Sequence, residues 1–190
     1  MKLNRTQYHI DENDEWIHGV RIVKSPNFDV RPDPDDIELL VIHGISLPPK
    51  EYGGRYIDQL FTNSLNPEQH PYFAEIQHLR VSSHFFIDRE GQLTQYVPLC
   101  DRAWHAGESS FNERTTCNDF SIGIELEGCD EQAYCEVQYR ELAEITNTIC
   151  RRWRKITKDR IVGHSDIAPG RKTDPGPEFD WDYYYSLITL

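Results

Sequence analysis

The chain has 190 residues, 38% of them hydrophobic and 27% charged, enough to bury a core without disulfides or an obligate partner, so one domain over 1–190 is expected. Its 20 basic and 32 acidic residues give a net charge of −12, which excludes a general affinity for nucleic acid or an anionic membrane. No apolar run is long enough to span a bilayer. The polar opening, 1–14, lacks the basic, apolar and small-residue order of an export signal, which points to the cytoplasm. In that compartment Cys100, Cys117, Cys129, Cys135 and Cys150 are expected as free thiols, a Cys129–Cys135 bridge being the alternative.

In chain order, the proline-rich Arg31-Pro32-Asp33-Pro34 reads as an extended lead-in. Leu39 to Ile42 is a short apolar run expected to be a buried strand with His43 where it ends. The stretch 47–54 reads as a loop, followed by a short helix over Tyr56 to Phe61. Val81 to Asp88 and Gln92 to Val97 are expected to form a hairpin turning at 89–91. From Phe120 to Glu127, Ile122, Ile124 and Leu126 alternate with Ser121, Gly123, Glu125 and Glu127, the pattern of a half-buried strand with two acids on its polar face. Glu136 to Trp153 carries Leu142, Ile145, Ile149 and Trp153 on one helical stripe. The basic run 151–155 is then that helix's solvated C-terminal end, where cations suit the dipole, rather than a polyanion patch.

Arg160 to Gly163 reads as a strand leading into 164–176, where two prolines and two glycines predict a shaped loop rather than a helix or strand. A last helix is expected from Phe179 to Ile188. Strands, a long helix, a strand and a closing helix give the fold class: α/β, a mixed central sheet flanked by helices. A lone histidine is more often a core residue than a ligand. Two strand-end histidines, His43 and His164, with the loop residue Asp174 shift that balance. Together they would hold one zinc ion and leave a position open, the arrangement of a catalytic site.

The segments Val41-Ile42-His43-Gly44, Trp104-His105-Ala106-Gly107, Asn118 to Gly128, Gly163 to Asp166 and Lys172 to Pro177 occur in an order that resembles the zinc N-acetylmuramoyl-L-alanine amidases. The likeness runs from about Trp16 to Trp181. Within the family the chain is similar to the cytoplasmic members that cleave 1,6-anhydro-muropeptides during cell-wall recycling. The resemblance implies a zinc amidase or peptidoglycan recognition protein-like fold. It also implies hydrolysis of the amide between the lactyl group of 1,6-anhydro-N-acetylmuramic acid and L-alanine. No further obligate partner is implied.

Glu127 shares the face of Glu125, so alternation alone cannot choose between them; the resemblance makes Glu125 the catalytic base. Lys172, unremarkable as an exposed lysine, becomes the stabiliser of the oxyanion. Arg80, Trp104 and His105 become substrate contacts, an arginine fork suiting carboxylates and aromatic faces suiting a sugar. Where other branches carry a tyrosine before a strand histidine, this chain has Ser83-His84, so His84 is expected to be structural. Gly44 and Thr116 stand where enteric members have asparagine and arginine, and Arg114 is the nearby cation that could compensate. A non-catalytic fragment-binding module and an exported whole-wall amidase are the competing readings. The first typically lacks a ligand, and the second needs export.

Overall fold

The computed structural model describes residues 8–11 and 15–190; most of the opening segment read for an export signal lies outside the described residues. The first half of the chain forms β1 (Arg21–Ile22), β2 (Phe28–Val30), β3 (Leu39–Ile45), α1 (Tyr56–Phe61), α2 (Pro71–Ile76), β4 (Phe85–Ile87) and β5 (Leu93–Gln95). The second half forms β6 (Asp101–Ala103), β7 (Ser110–Phe111), β8 (Arg114–Thr115), β9 (Ser121–Glu127), α3 (Glu136–Arg152), β10 (Ile161–Gly163), α4 (His164–Ile167) and α5 (Trp181–Leu187). Six strands make one sheet in the order β1-β5-β4-β9-β3-β10. β4, β9, β3 and β10 are parallel to one another, while the β5–β4 pairing is antiparallel and β1 follows β5. The sheet is mixed and carries helices, as the sequence predicts. No helix among the described residues is long and apolar enough to cross a membrane.

Alternation along β3 and β9 sorts the sheet into two faces. Leu40, Ile42, Ile122, Ile124 and Leu126 join Leu142, Ile145, Ile149 and Trp153 of α3 in the largest core cluster, with Tyr184 of α5 behind them. The stripe read from the sequence is therefore the buried face of α3. Residues of the other parity, His43 on β3 and Glu125 on β9, sit side by side in register on the opposite face.

Several expectations need correction. β3 continues past Ile42 to Ile45, because β9 pairs with it along its whole length, so His43 lies inside the strand rather than at its end. β9 is buried at all seven positions, not half-buried; its polar side is covered by the segments that build the site. The 164–176 segment opens with one helical turn, α4, since the Asp166 carboxylate accepts the Gly163 N–H at 2.7 Å and caps it. The hairpin keeps only Phe85–Ile87 and Leu93–Gln95 as strands. Before it, the side chains of Ser82 and Ser83 donate to the carbonyls of Asn27 and Gly123, and His84 Nδ1 accepts the Gly123 N–H, so long-range side-chain bonds hold this stretch where a ladder is expected.

α2 is not among the expected elements: apolar periodicity gives no sign of it, and Pro71 at its first turn is the one local signal, with the His70 ring accepting the Tyr72 N–H in the structure. The basic run does end α3, where Arg152 pairs with Glu15 at 3.3 Å and Lys155 with Asp36 at 3.0 Å. All five cysteines are free and no Cys129–Cys135 bridge forms.

Arg31 connects the lead-in to this frame. Its buried guanidinium donates to the carbonyls of Asn118 (2.9 Å) and Ser121 (2.7 Å) and lies 3.0 Å from His84 Nε2. Burial lowers its pKa to about 10, still charged at neutral pH. His84 is fully buried, held between Arg31 and the Asp101 carbonyl, and is not part of the metal-ligating cluster.

Candidate metal centre and its cleft

His43 comes from the middle of β3, His164 from the first turn of α4, and Asp174 from the loop after it. His43 Nδ1 and His164 Nδ1 are 3.0 Å apart, and each lies 3.1 Å from Asp174 Oδ2. A tetrahedral zinc with bonds of about 2.0–2.1 Å sets its ligand atoms about 3.3 Å apart, so this triangle fits the ion. The donor set, two imidazoles and one carboxylate, fits it too. The outer nitrogens are also engaged, as a metal site requires. His164 Nε2 donates to the Ala106 carbonyl at 3.1 Å, which leaves its Nδ1 lone pair for the metal. His43 Nε2 lies 2.9 Å from His105 Nδ1.

Burial sets the electrostatics. His43 is 1% exposed, and desolvation draws its pKa down to about 4 against the opposing pull of Asp174. Burial pushes Asp174 up, but its contacts with the His164 and His43 rings outweigh that and hold the carboxyl well below the usual range. Glu125 is pushed well above the usual glutamate range by burial and then by the Asp174 charge, with Lys172 pulling the other way. Its Oε2 is buried and has no partner among the described residues. An unpaired carboxylate oxygen in such a place is costly to the fold; it is what a proton acceptor needs.

These groups open on a cleft of about 530 Å³ whose lining includes Trp104, Glu125, His164, Lys172 and Asp174. Lys172 is exposed. Trp104 is half-buried, and its indole N–H has no partner among the described residues. His105 also lines the cleft but is only 8% exposed, and its two ring nitrogens face His43 and Ser121 Oγ (3.1 Å). Arg80 is exposed, and its guanidinium donates to the carbonyls of Gln77 and Leu79. Its neighbours Leu79 and Val81 line the cleft and Arg80 does not.

Arg114, the cation near Thr116, is engaged elsewhere. It is held by Asp36 at 2.9 Å and Glu38 at 2.8 Å, over the Phe120 ring, outside the cleft. Thr116 itself is an exposed residue with φ of 61°. At Gly44 the structure supplies something the sequence does not reveal. A Cβ there would stand 2.3 Å from the Tyr134 hydroxyl, which donates to the Pro175 carbonyl at 2.8 Å, next to the ligand Asp174. Gly44 makes room for a tyrosine brace on the Asp174 loop. Tyr134, Asn118 and Gly123 all shape the site. Asn118 and Gly123 lie in the Asn118–Gly128 motif, from which sequence reasoning takes only the acid.

A family profile described as N-acetylmuramoyl-L-alanine amidase matches residues 33–177. The chain is 58% identical over 168 residues to the 1,6-anhydro-N-acetylmuramyl-L-alanine amidase AmpD of Haemophilus influenzae, covering 88% of this chain and 91% of that protein. A crystal structure of a selenomethionine AmpD derivative superposes with a TM-score of 0.91 at 53% identity, covering 95% of this chain and 99% of the other. The Escherichia coli amidase AmiD, in complex with anhydro-N-acetylmuramic acid-L-Ala-D-γ-Glu-L-Lys, superposes with a TM-score of 0.60 at 29% identity, covering 82% of this chain and 59% of that one. The matched span contains His43, Glu125, His164, Lys172 and Asp174, and the chain belongs to the N-acetylmuramoyl-L-alanine amidase family.

Proposed function

We propose that the protein is a zinc-dependent amidase of peptidoglycan recycling. It cleaves the amide between the lactyl group of 1,6-anhydro-N-acetylmuramic acid and L-alanine in muropeptides, in the cytoplasm. The observation that carries this reading is a cleft lined by His164, Asp174 and a buried, unsaturated acid, with His43 completing the metal triangle behind its wall. A fragment-binding module has no use for such an acid. Relatives above half identity bear the name of the anhydro-sugar amidase, which supports the choice of substrate.

Zinc held by His43, His164 and Asp174 supplies Lewis acidity, bringing the pKa of water toward about 7 and polarising the amide carbonyl. Glu125 accepts a proton from the attacking water and returns it to the departing amine of L-alanine, so protons balance over one turnover. Its raised pKa suits both halves of that task. Lys172 places a cation over the oxygen that gains charge as the carbonyl carbon becomes tetrahedral. Trp104 offers the sugar a flat face and an unpaired indole N–H. Arg80, at the rim, is assigned to the stem-peptide carboxylates.

The test is mass spectrometry of digests of anhydro-N-acetylmuramyl tripeptide and of the N-acetylmuramyl equivalent, with a chelator control. The expected result is metal-dependent release of free tripeptide, much faster from the anhydro sugar. Equal cutting of both sugars would make the protein a general wall amidase. No cutting with zinc bound would leave a binding module.

A further inference from the structure

We propose that Trp104–Gly107 is the clamp that fixes both histidine ligands, and that His105 is a positioning residue for His43 rather than a contact for substrate. The inference rests on the zinc reading above. A lone pair on His43 Nδ1 requires the proton on Nε2, and the acceptor 2.9 Å from that nitrogen is His105 Nδ1. His105 then carries its own proton on Nε2, which faces Ser121 Oγ at 3.1 Å. The very next residue, Ala106, provides the carbonyl that takes the Nε2 proton of His164 at 3.1 Å. Two consecutive residues thus set the tautomers of two ligands that are 121 positions apart in the chain.

The clamp is itself held on every side. Asn118 Oδ1 accepts the backbone N–H groups of both His105 (3.1 Å) and Ala106 (2.8 Å). Trp104 N donates to Ser82 Oγ at 3.0 Å, and Arg171 Nη2 donates to the Ala106 carbonyl at 2.6 Å. Below the ring, Gly123 is required: a Cβ there would stand 2.5 Å from the His105 ring. With both nitrogens engaged, His105 has no donor or acceptor left for a sugar or peptide. Its neighbour Trp104 does.

The test compares two amides. His105→Asn puts its amide oxygen near the place of Nδ1 and keeps an acceptor for His43. His105→Gln puts its amide near the place of Nε2 and loses that acceptor. Zinc affinity is measured by competition with a chromophoric chelator, and the ligand field by the visible spectrum of the cobalt-substituted protein. The Asn variant is expected to stay near wild type, and the Gln variant to bind zinc about 10–100-fold more weakly with an altered cobalt spectrum. Equal affinities and identical spectra for the two would overturn the proposal. Should neither amide variant fold, Ser121→Ala carries the test, since it frees His105 Nε2 alone: a shifted cobalt spectrum supports the clamp and an unchanged one overturns it. Wild-type protein that fails to bind zinc one to one would instead remove the metal reading on which the proposal stands.

Discussion

Glu125 and Glu127 leave the same face of β9, two residues apart, both buried, and their surroundings differ completely. Glu127 Oε1 accepts the Gly53 N–H at 2.6 Å and Oε2 accepts the Arg89 N–H at 3.1 Å, so its charge is met on both oxygens. Glu125 keeps one oxygen unpaired beside the metal triangle. One acid is anchored to fasten two loops to the sheet; the other is left reactive at a cost in stability. Burial and strand position are the same for both, so the supply of N–H donors alone separates a structural acid from a chemical one.

The largest effect should come from exchanging the two by substitution. Glu125→Gln is expected to lower turnover by roughly 10²–10⁴-fold, the usual worth of a general base, while raising unfolding stability by about 1–2 kcal/mol at pH values above the raised Glu125 pKa, where an unpaired buried charge is removed. Glu127→Gln is expected to do the reverse, costing about 1–3 kcal/mol of stability because an amide N–H would face a backbone N–H, with turnover kept. Paired kinetics and thermal melts read both, and a stabilised Glu127 variant would erase the contrast.

The acid limb of kcat/KM follows from the same burial. A raised folded pKa favours the neutral form of Glu125, so its contribution to stability is present at low pH and lost as pH rises through that pKa, above which the base form exists. Activity should therefore decline on the acid side as Glu125 is protonated, at a pH that burial raises and the charge of bound zinc lowers. Lys172→Ala, which removes the cation that lowers Glu125, should lower the rate by orders of magnitude and move the limb further up. A limb that stays in place would separate Lys172 from Glu125.

Metal loss has its own window. His43 has its pKa depressed to about 4, so its neutral, ligating form and the stability tied to it persist from above 6.5 and are lost as pH falls through about 4. Zinc should be retained on dialysis at pH 6 and released at pH 4. A release midpoint near 6.5 would count against a depressed His43 pKa. The smallest effect belongs to the brace on Asp174: Tyr134→Phe removes the bond to Pro175 and should cost about 0.5–1.5 kcal/mol, measured by denaturant unfolding.

Legibility from sequence followed the physics of each feature. The α3 stripe and the short helix at 56–61 could be read because apolar period and burial coincide there. The metal triad could be read because its residue types are uncommon together. The depth of β9 could not, since Ser121, Gly123, Glu125 and Glu127 read as solvated, and it takes His105, Gly53 and Arg89 from other segments to cover them. The brace by Tyr134 and the His105 contact with His43 are likewise contacts across long sequence separations, and no local pattern encodes them.

His43 and Asp174 meet across 131 positions of sequence. During synthesis His43 emerges long before Asp174, and the triangle has no third corner until residue 174 has left the ribosome. Metal capture is therefore a late event for a nascent chain. A truncation that removed only the final loop and α5 would leave two histidines facing each other on an otherwise complete sheet.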